Sequence, residues 1–120
     1  MEFINFSFNW NNKLNNLVFT TIRAHSKTKY ELNKEYQLML HNHVFAQGII
    51  IGIVTKNYLQ LSDGECFLDT GYSLIETRNI IKTMYKLESE KSFVIDYILI
   101  KKTKALYGII PNLITIKETK

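Results

Sequence analysis

The sequence predicts an α+β fold that is mainly β: a small barrel or bent sheet with one firm helix at about residues 73–86. Apolar residues alternate with polar ones in several segments, which is typical of half-buried strands. Gly48 and Gly52 interrupt a long β-rich run and predict bulges or strong bending. Helices do not alternate with strands along the chain, so a parallel α/β architecture is not expected.

The N-terminal half predicts four strands, which cover residues 3–10, 17–23, 35–40 and 44–55. Residues 11–16 hold four asparagines and predict either a turn or a short N-terminal helical turn. Residues 31–34 predict a turn in which Asn33 takes a left-handed conformation. The polar link at residues 41–43 predicts a hairpin turn.

The C-terminal half predicts the helix between a loop and further strands. Residues 62–71 contain two glycines and two aspartates and predict a loop. Ser73 and Glu76 then form an S-x-x-E capping box, which predicts the start of the helix. The remaining predicted elements are a strand at residues 92–100, a basic turn at residues 101–104, and residues 106–110 and 113–116 as either a terminal hairpin or edge strands. The expected total is six or seven strands.

The composition indicates one globular domain that spans residues 1–120. The chain is 46% hydrophobic and 22% charged, and its formal net charge of +4 suits an anionic partner. Cys66 is the only cysteine, so an intramolecular disulfide and a cysteine-rich zinc site are excluded. The N-terminus lacks the basic region of a signal peptide, and the longest apolar run is too short to span a bilayer. We expect a soluble cytoplasmic protein that uses no membrane.

Thr21 and Arg23 are the main candidate binding residues. Side chains two positions apart in a strand share a face, so the hydroxyl and the guanidinium are expected to point together. His25, Lys27 and Lys29 follow in a polar loop and concentrate positive charge there. This pattern predicts a cradle for phosphate or a nucleotide. The alternative is that Arg23 closes a salt bridge at the end of the strand.

Other polar residues offer weaker candidate sites. His41 and His43 have no acidic or sulfur partner at a known metal-binding spacing, so neither a metal nor a cofactor is expected. Cys66 is interpreted as a packing residue, with a nucleophile as the alternative. Asp69 is left open as a general base, and Tyr72 as a side chain that stacks on a base or packs in the core.

Two charged segments have both a structural and a functional interpretation. Asp63 and Glu65 are expected to form a solvated acidic loop that helps to cap the helix. The lysines of residues 101–104 are expected either to contact nucleic acid or to keep a sheet edge soluble.

The order of these features resembles the ASCH domains of the PUA-like superfamily. Thr-Ile-Arg ends at Arg23, a polar loop leads to a stretch from Tyr30 to Tyr36, and residues 69–85 (DTGYSLIETRNIIKTMY) supply a loop and a capped helix. The resemblance covers about residues 3–100. It implies a small β-barrel with peripheral helices that binds RNA or a nucleotide in a cleft beside the barrel.

The chain also departs from the family pattern. Family members commonly carry Gly-x-Lys-Thr-x-Thr-x-Arg, and residues 16–23 read NLVFTTIR here. Thr21 and Arg23 match, whereas Val18 stands at the position of the lysine. One branch of the family comprises amidohydrolases of acetylated cytidine that use this lysine, the second threonine and a later glutamate. Asp69 would have to replace that glutamate, so the resemblance favours binding over catalysis.

Three functions are therefore expected from the sequence. The first is an RNA- or nucleotide-binding module, whose cleft would be walled by Thr21, Arg23, Lys27 and Lys29, with Asp69 and Tyr72 opposite. The second is a small amidohydrolase of a modified nucleoside, with Asp69 as base and Thr21 as nucleophile or orienting group. The third is a protein-interaction module that uses an exposed aromatic surface.

Overall fold

The fold is described by a computed structural model for residues 2–87 and 93–105. Strands make up about 44% of this part of the chain, so the prediction of a mainly β, α+β fold is confirmed. The strands are β1 (Phe3–Phe6), β2 (Val18–Ala24), β3 (Glu35–Leu40), β4 (His43–Asn57) and β5 (Val94–Ala105). The helices are α1 (Asp63–Thr70) and α2 (Leu74–Met84), with short 3-10 segments at Trp10–Asn15 and Tyr58–Gln60.

The five strands form one sheet in the order β1-β3-β4-β5-β2. β1 runs parallel to β3, and the other neighbouring pairs are antiparallel. The sheet curls into a half-barrel, which brings its two edge strands towards each other. The rings of Phe6 on β1 and Phe19 on β2 meet edge to face, with 5.7 Å between their centroids. The open edge of β2 therefore faces the end of β1.

The curvature is concentrated in β4, where the sequence places its two strand glycines. The register against β5 shifts between Gln47 and Gly48 and again between Ile50 and Gly52, so the predicted bulges are confirmed. A Cβ atom on Gly48 would lie 2.8 Å from Ile100 Cγ2, which is closer than packed carbon atoms approach. Glycine is required at position 48 because the neighbouring strand passes so close.

Two apolar clusters pack against the sheet. The larger cluster includes Phe6, Phe19, Phe45 and Ile98. The second cluster joins the sheet to the helices and consists of Tyr58, Leu61, Cys66, Ile81 and Ile95. Cys66 is fully buried there, and burial raises the pKa of its thiol. Both findings favour the packing role over that of a nucleophile.

Several local predictions are confirmed. α2 begins after Ser73, whose hydroxyl accepts from the Glu76 N–H in the predicted capping box. Asn33 has a φ of 66°, and the hairpin link contains two further left-handed residues, His41 and Asn42. Residues 10–15 form a short helical segment, although Asn11 and Asn12 within it are left-handed.

Two local predictions are wrong. Residues 62–71 form α1 instead of a loop, because Ser62 and Glu65 make a second capping box and Gly71 ends the helix at φ 80°. Residues 101–104 form no turn, because β5 continues through them and pairs with β4 as far as Ala105. The hairpin or edge strands predicted for residues 106–116 lie outside the described residues, which contain five strands.

Candidate functional site

A cavity of about 80 Å³ lies at the open edge of β2. The strand contributes Thr21, Ile22 and Arg23 to its lining. The rest of the lining comes from the end of β1, the 3-10 segment, α1 and α2, through residues that include Phe6, Phe8, Trp10, Lys13, Asp69, Ile81, Met84 and Tyr85. One buried water needs roughly 10–15 Å³ of such space, so the cavity can enclose several waters or one part of a larger ligand, and it is partly open to solvent.

Arg23 and Thr21 point into this cavity together, as their spacing predicts. Arg23 Nε donates to Thr21 Oγ1 at 2.9 Å, and the guanidinium lies 4.5 Å from the centroid of the Phe6 ring. Burial lowers the pKa of Arg23, but a guanidinium remains charged at any physiological pH. In the part of the chain that the structure describes, no carboxylate lies within salt-bridge distance of this guanidinium. For the described residues, the alternative prediction that Arg23 closes a salt bridge is therefore wrong.

Asp69 lines the same cavity and is held by two donors. Lys13 Nζ lies 2.7 Å and Thr20 Oγ1 3.1 Å from the same oxygen, Asp69 Oδ1. All three side chains are buried. Burial lowers the pKa of Lys13, and the negative charge of Asp69 opposes that shift. The cavity thus contains two cationic side chains, of which one has a carboxylate partner.

Sequence reasoning missed Lys13 as a site residue. It stands among asparagines in the segment that precedes β2, and nothing in its spacing relates it to Asp69, 56 positions away. Val18, which stands where the resemblance to ASCH domains would place a lysine, is 38% exposed on β2. The structure therefore brings a lysine into the cavity from outside the motif.

The other predicted site residues lie at different distances from the cavity. Tyr72 does not line the cavity, but its ring centroid lies 5.9 Å from that of Trp10, which does line it and lies 4.7 Å from the ring of Phe8. Lys27 and Lys29 belong to the loop after β2, which contributes no lining residue within the described ranges. The predicted cleft wall is therefore only partly found: Thr21, Arg23 and Asp69 line the cavity, whereas Lys27 and Lys29 do not.

His25 is held at the end of β2 by a buried carboxylate. Its Nδ1 lies 2.9 Å from Asp96 Oδ1, which also accepts from Thr55 Oγ1 at 2.6 Å. The Ser26 N–H donates to the other oxygen of Asp96 at 3.2 Å. Asp96 therefore fixes the start of the basic loop relative to the sheet.

Residues 2–87 and 93–105, the described ranges, can be assessed for metal-ligand clusters and membrane-spanning helices. They contain no group of three or more His, Cys, Asp or Glu side chains that could hold a metal ion. No helix within them is long and apolar enough to cross a membrane.

The fold and the site together define a mainly β half-barrel with a largely apolar pocket at the open edge of its sheet, into which charged side chains also project. Comparisons with known proteins found no matching family model, no matching curated protein and no matching solved structure. The function must therefore be argued from the cavity itself.

Proposed function

We propose that the chain is an ASCH-like module that binds a nucleotide, either free or as an unpaired residue of RNA, in the cavity at the edge of β2. The observation that carries this proposal is the Arg23 guanidinium, which points into the cavity without a carboxylate partner among the described residues. A partly desolvated cation favours an anionic ligand, and a guanidinium matches a phosphate in shape and charge. Thr21 holds the guanidinium in place for that contact.

The aromatic side chains at and next to the cavity are the evidence that the ligand includes a base. Phe8, Trp10 and Tyr72 form a continuous row, and Phe8 and Tyr72 are exposed. Aromatic faces next to a cationic pocket are the usual combination for holding unpaired bases, because every base has a π-face. The +4 net charge is consistent with such a ligand.

Trp10 is the only tryptophan, so its fluorescence reports on the mouth of the cavity. We expect nucleoside monophosphates or short RNA to change this signal, and Arg23→Gln to weaken binding about tenfold or more, the loss of one charge-assisted contact. Arg78→Gln is the matched control, because Arg78 is the only other arginine and its guanidinium donates to the carbonyl oxygen of Leu59. Equal affinity of the wild type and Arg23→Gln would reject the proposal.

The basic loop distinguishes RNA from a free nucleotide. Lys27 and Lys29 follow Arg23 in the chain without lining the cavity, and we propose that they meet phosphates that flank a bound residue. If RNA is the ligand, Lys27→Gln/Lys29→Gln should weaken oligonucleotide binding. It should also make the slope of log K against log salt concentration shallower by about one or two. The affinity for a mononucleotide should not change. An equal effect on both ligands would indicate that the two substitutions disturb the fold instead of removing phosphate contacts.

A second candidate function is supported by the arrangement around Asp69. A lysine, a carboxylate and two threonines, Thr20 and Thr21, meet in one cavity, although the lysine comes from position 13. We infer that this set could serve an amidohydrolase of an acylated nucleoside. Asp69 would take a proton from water while the water oxygen bonds to the acyl carbon, and it would pass this proton to the nitrogen as the C–N bond breaks, which releases a carboxylate and the amine.

Incubation with acetylated cytidine tests the hydrolase. The wild type should release acetate, and Asp69→Asn should not, provided that circular dichroism shows the variant to be folded. The absence of turnover by the wild type would exclude this function and leave the binding proposal untouched. We also propose that the protein is cytoplasmic, as expected from the sequence.

A further inference from the structure

β2 is an edge strand, and its pairing with β5 decides which of its peptide groups face the cavity. The register is regular from Val18 opposite Lys101 to Ala24 opposite Ile95. At the two ends of the ladder, the His25 N–H donates to the Val94 carbonyl at 3.0 Å, and the Lys102 N–H donates to the Leu17 carbonyl at 2.8 Å. Odd-numbered residues of β2 therefore form the hydrogen-bonded pairs with β5.

In an antiparallel ladder, bonded and non-bonded pairs alternate, so the even-numbered residues of β2 point their N–H and C=O groups away from β5. Ala24 shows this direction, because its N–H donates to the hydroxyl of Tyr85 on the far side of the strand at 3.3 Å. Ile22 lies two positions earlier, and it lines the cavity between Thr21 and Arg23. Its N–H and C=O consequently face the cavity side of the strand.

These two groups are available to a ligand. Among the described residues, none outside the strand ladder forms a hydrogen bond with the main chain of Ile22. Ile22 is only half-buried, so water can satisfy both groups in the empty cavity. A ligand that replaces this water must offer an acceptor to the N–H and a donor to the C=O to avoid a loss of hydrogen bonding.

We propose that the Ile22 peptide groups bind the Watson–Crick edge of the base, a step that rests on the proposed nucleotide site. An acceptor stands next to a donor on this edge in all four bases, for example O4 beside N3–H in uracil and N1 beside the amino group in adenine. The N–H and C=O of one extended residue lie side by side and match such a pair, as they match a second strand in a sheet. Arg23 binds the phosphate, and Ile22 binds the base.

Two observations make a base a better occupant of this edge than an added peptide strand. The next outward-facing position of the edge is already covered, since the Tyr85 hydroxyl accepts from the Ala24 N–H. A peptide strand needs several consecutive free positions, whereas a base needs one. The aromatic row of Phe8, Trp10 and Tyr72 also ends at this cavity.

The test uses ¹⁵N-labelled full-length chain and nucleoside monophosphates. The Ile22 amide resonance should move downfield on titration, and its hydrogen exchange should slow, because its N–H gains an acceptor. The tightest monophosphate is then compared with its derivative methylated on the Watson–Crick edge, such as 3-methyluridine or 1-methyladenosine monophosphate. Methylation should weaken binding about tenfold or more, because it removes the pairing and leaves the peptide groups unsatisfied.

Ile22→Pro provides a variant arm. Proline removes the N–H that points away from β5 and is tolerated at such edge positions. This variant should bind both the plain and the methylated monophosphate weakly and equally. If Ile22→Pro does not fold, the amide shift and the methylation effect decide alone.

The outcomes separate this inference from the function on which it rests. The role of Ile22 would be overturned if binding requires Arg23 but is not weakened by methylation and does not shift the Ile22 amide resonance. The nucleotide site itself would then still stand. The absence of any monophosphate or RNA binding would overturn both.

Discussion

Lys13 Nζ lies 2.7 Å from Asp69 Oδ1 and ties the segment before β2 to the end of α1, across 56 positions of sequence. Both side chains are almost completely buried. A buried ion pair contributes little net stability compared with apolar residues of the same size, because both charges lose their hydration. Removal of one partner is different, since it leaves the other charge buried without compensation.

We therefore expect Lys13→Met and Asp69→Asn each to lower the free energy of unfolding by about 3–5 kcal/mol. The double variant Lys13→Met/Asp69→Asn should lose much less than the sum of the two single changes, because no charge is then left unpaired. Urea denaturation of the four proteins measures this coupling. Additive losses would contradict an energetic link between the two side chains.

Gly48 and Gly52 provide a matched pair on one strand. A Cβ at position 48 would lie 2.8 Å from Ile100 Cγ2 and 2.9 Å from Leu38 Cδ1, whereas at position 52 its nearest neighbour is Leu99 Cβ at 3.5 Å. Gly48→Ala should lower the free energy of unfolding by about 1–3 kcal/mol through overpacking. Gly52→Ala should change it by about 0.5 kcal/mol or less, or raise it by restricting the unfolded chain. Thermal denaturation of both variants distinguishes these effects, and similar losses would be incompatible with the packing around Gly48.

Lys102 should make stability depend on alkaline pH. Its ammonium group is buried against the rings of Phe19 and Phe45 and donates to the Leu14 carbonyl, and burial lowers its pKa to about 8. In the unfolded chain the pKa is near 10.5. Between these values the unfolded state binds more protons, so the free energy of unfolding attributable to Lys102 rises with pH and is lowest below pH 8.

Lys102→Met should accordingly remove this rise, and it should be the more stable protein at pH 7, by about 1–3 kcal/mol. Lys101→Met is the control, because the neighbouring side chain is exposed. Urea denaturation at several pH values from 7 to 10 gives both results. The same pH profile in the wild type and in Lys102→Met would show that another group is responsible.

Local patterns in the sequence predicted much of the sheet and α2. The bounds of β3, the capping box at Ser73 and the bulges near Gly48 follow from side-chain alternation, capping chemistry and glycine placement, which all act within a few residues. α1 was missed because Gly64 and the polar residues around it have the composition of a loop, although Ser62 and Glu65 carry the same capping signal as α2.

The site was predicted only where two residues share a strand face. Thr21 and Arg23 meet as expected, because their spacing in β2 is enough to bring them together. The contact of Lys13 with Asp69 depends on how the segment before β2 and α1 pack against each other, and no local pattern encodes that. Lys102 was assigned to a turn because three lysines in four residues look solvated, whereas β5 continues and buries that side chain.

Asp96 should control the position of the basic loop. Its carboxylate is 2% exposed and accepts from Thr55 Oγ1 and the Ser26 N–H while it contacts His25 Nδ1, so Asp96→Ala leaves these groups without their acceptor. We expect this variant to lose about 2–3 kcal/mol in the free energy of unfolding, and the Ser26 amide to exchange faster with solvent. Asp63→Ala is the control, because Asp63 is exposed and accepts from the Leu74 N–H, and it should lose about 1 kcal/mol or less. Equal losses in the two variants, or an unchanged rate of exchange at Ser26, would show that Asp96 does not hold the loop.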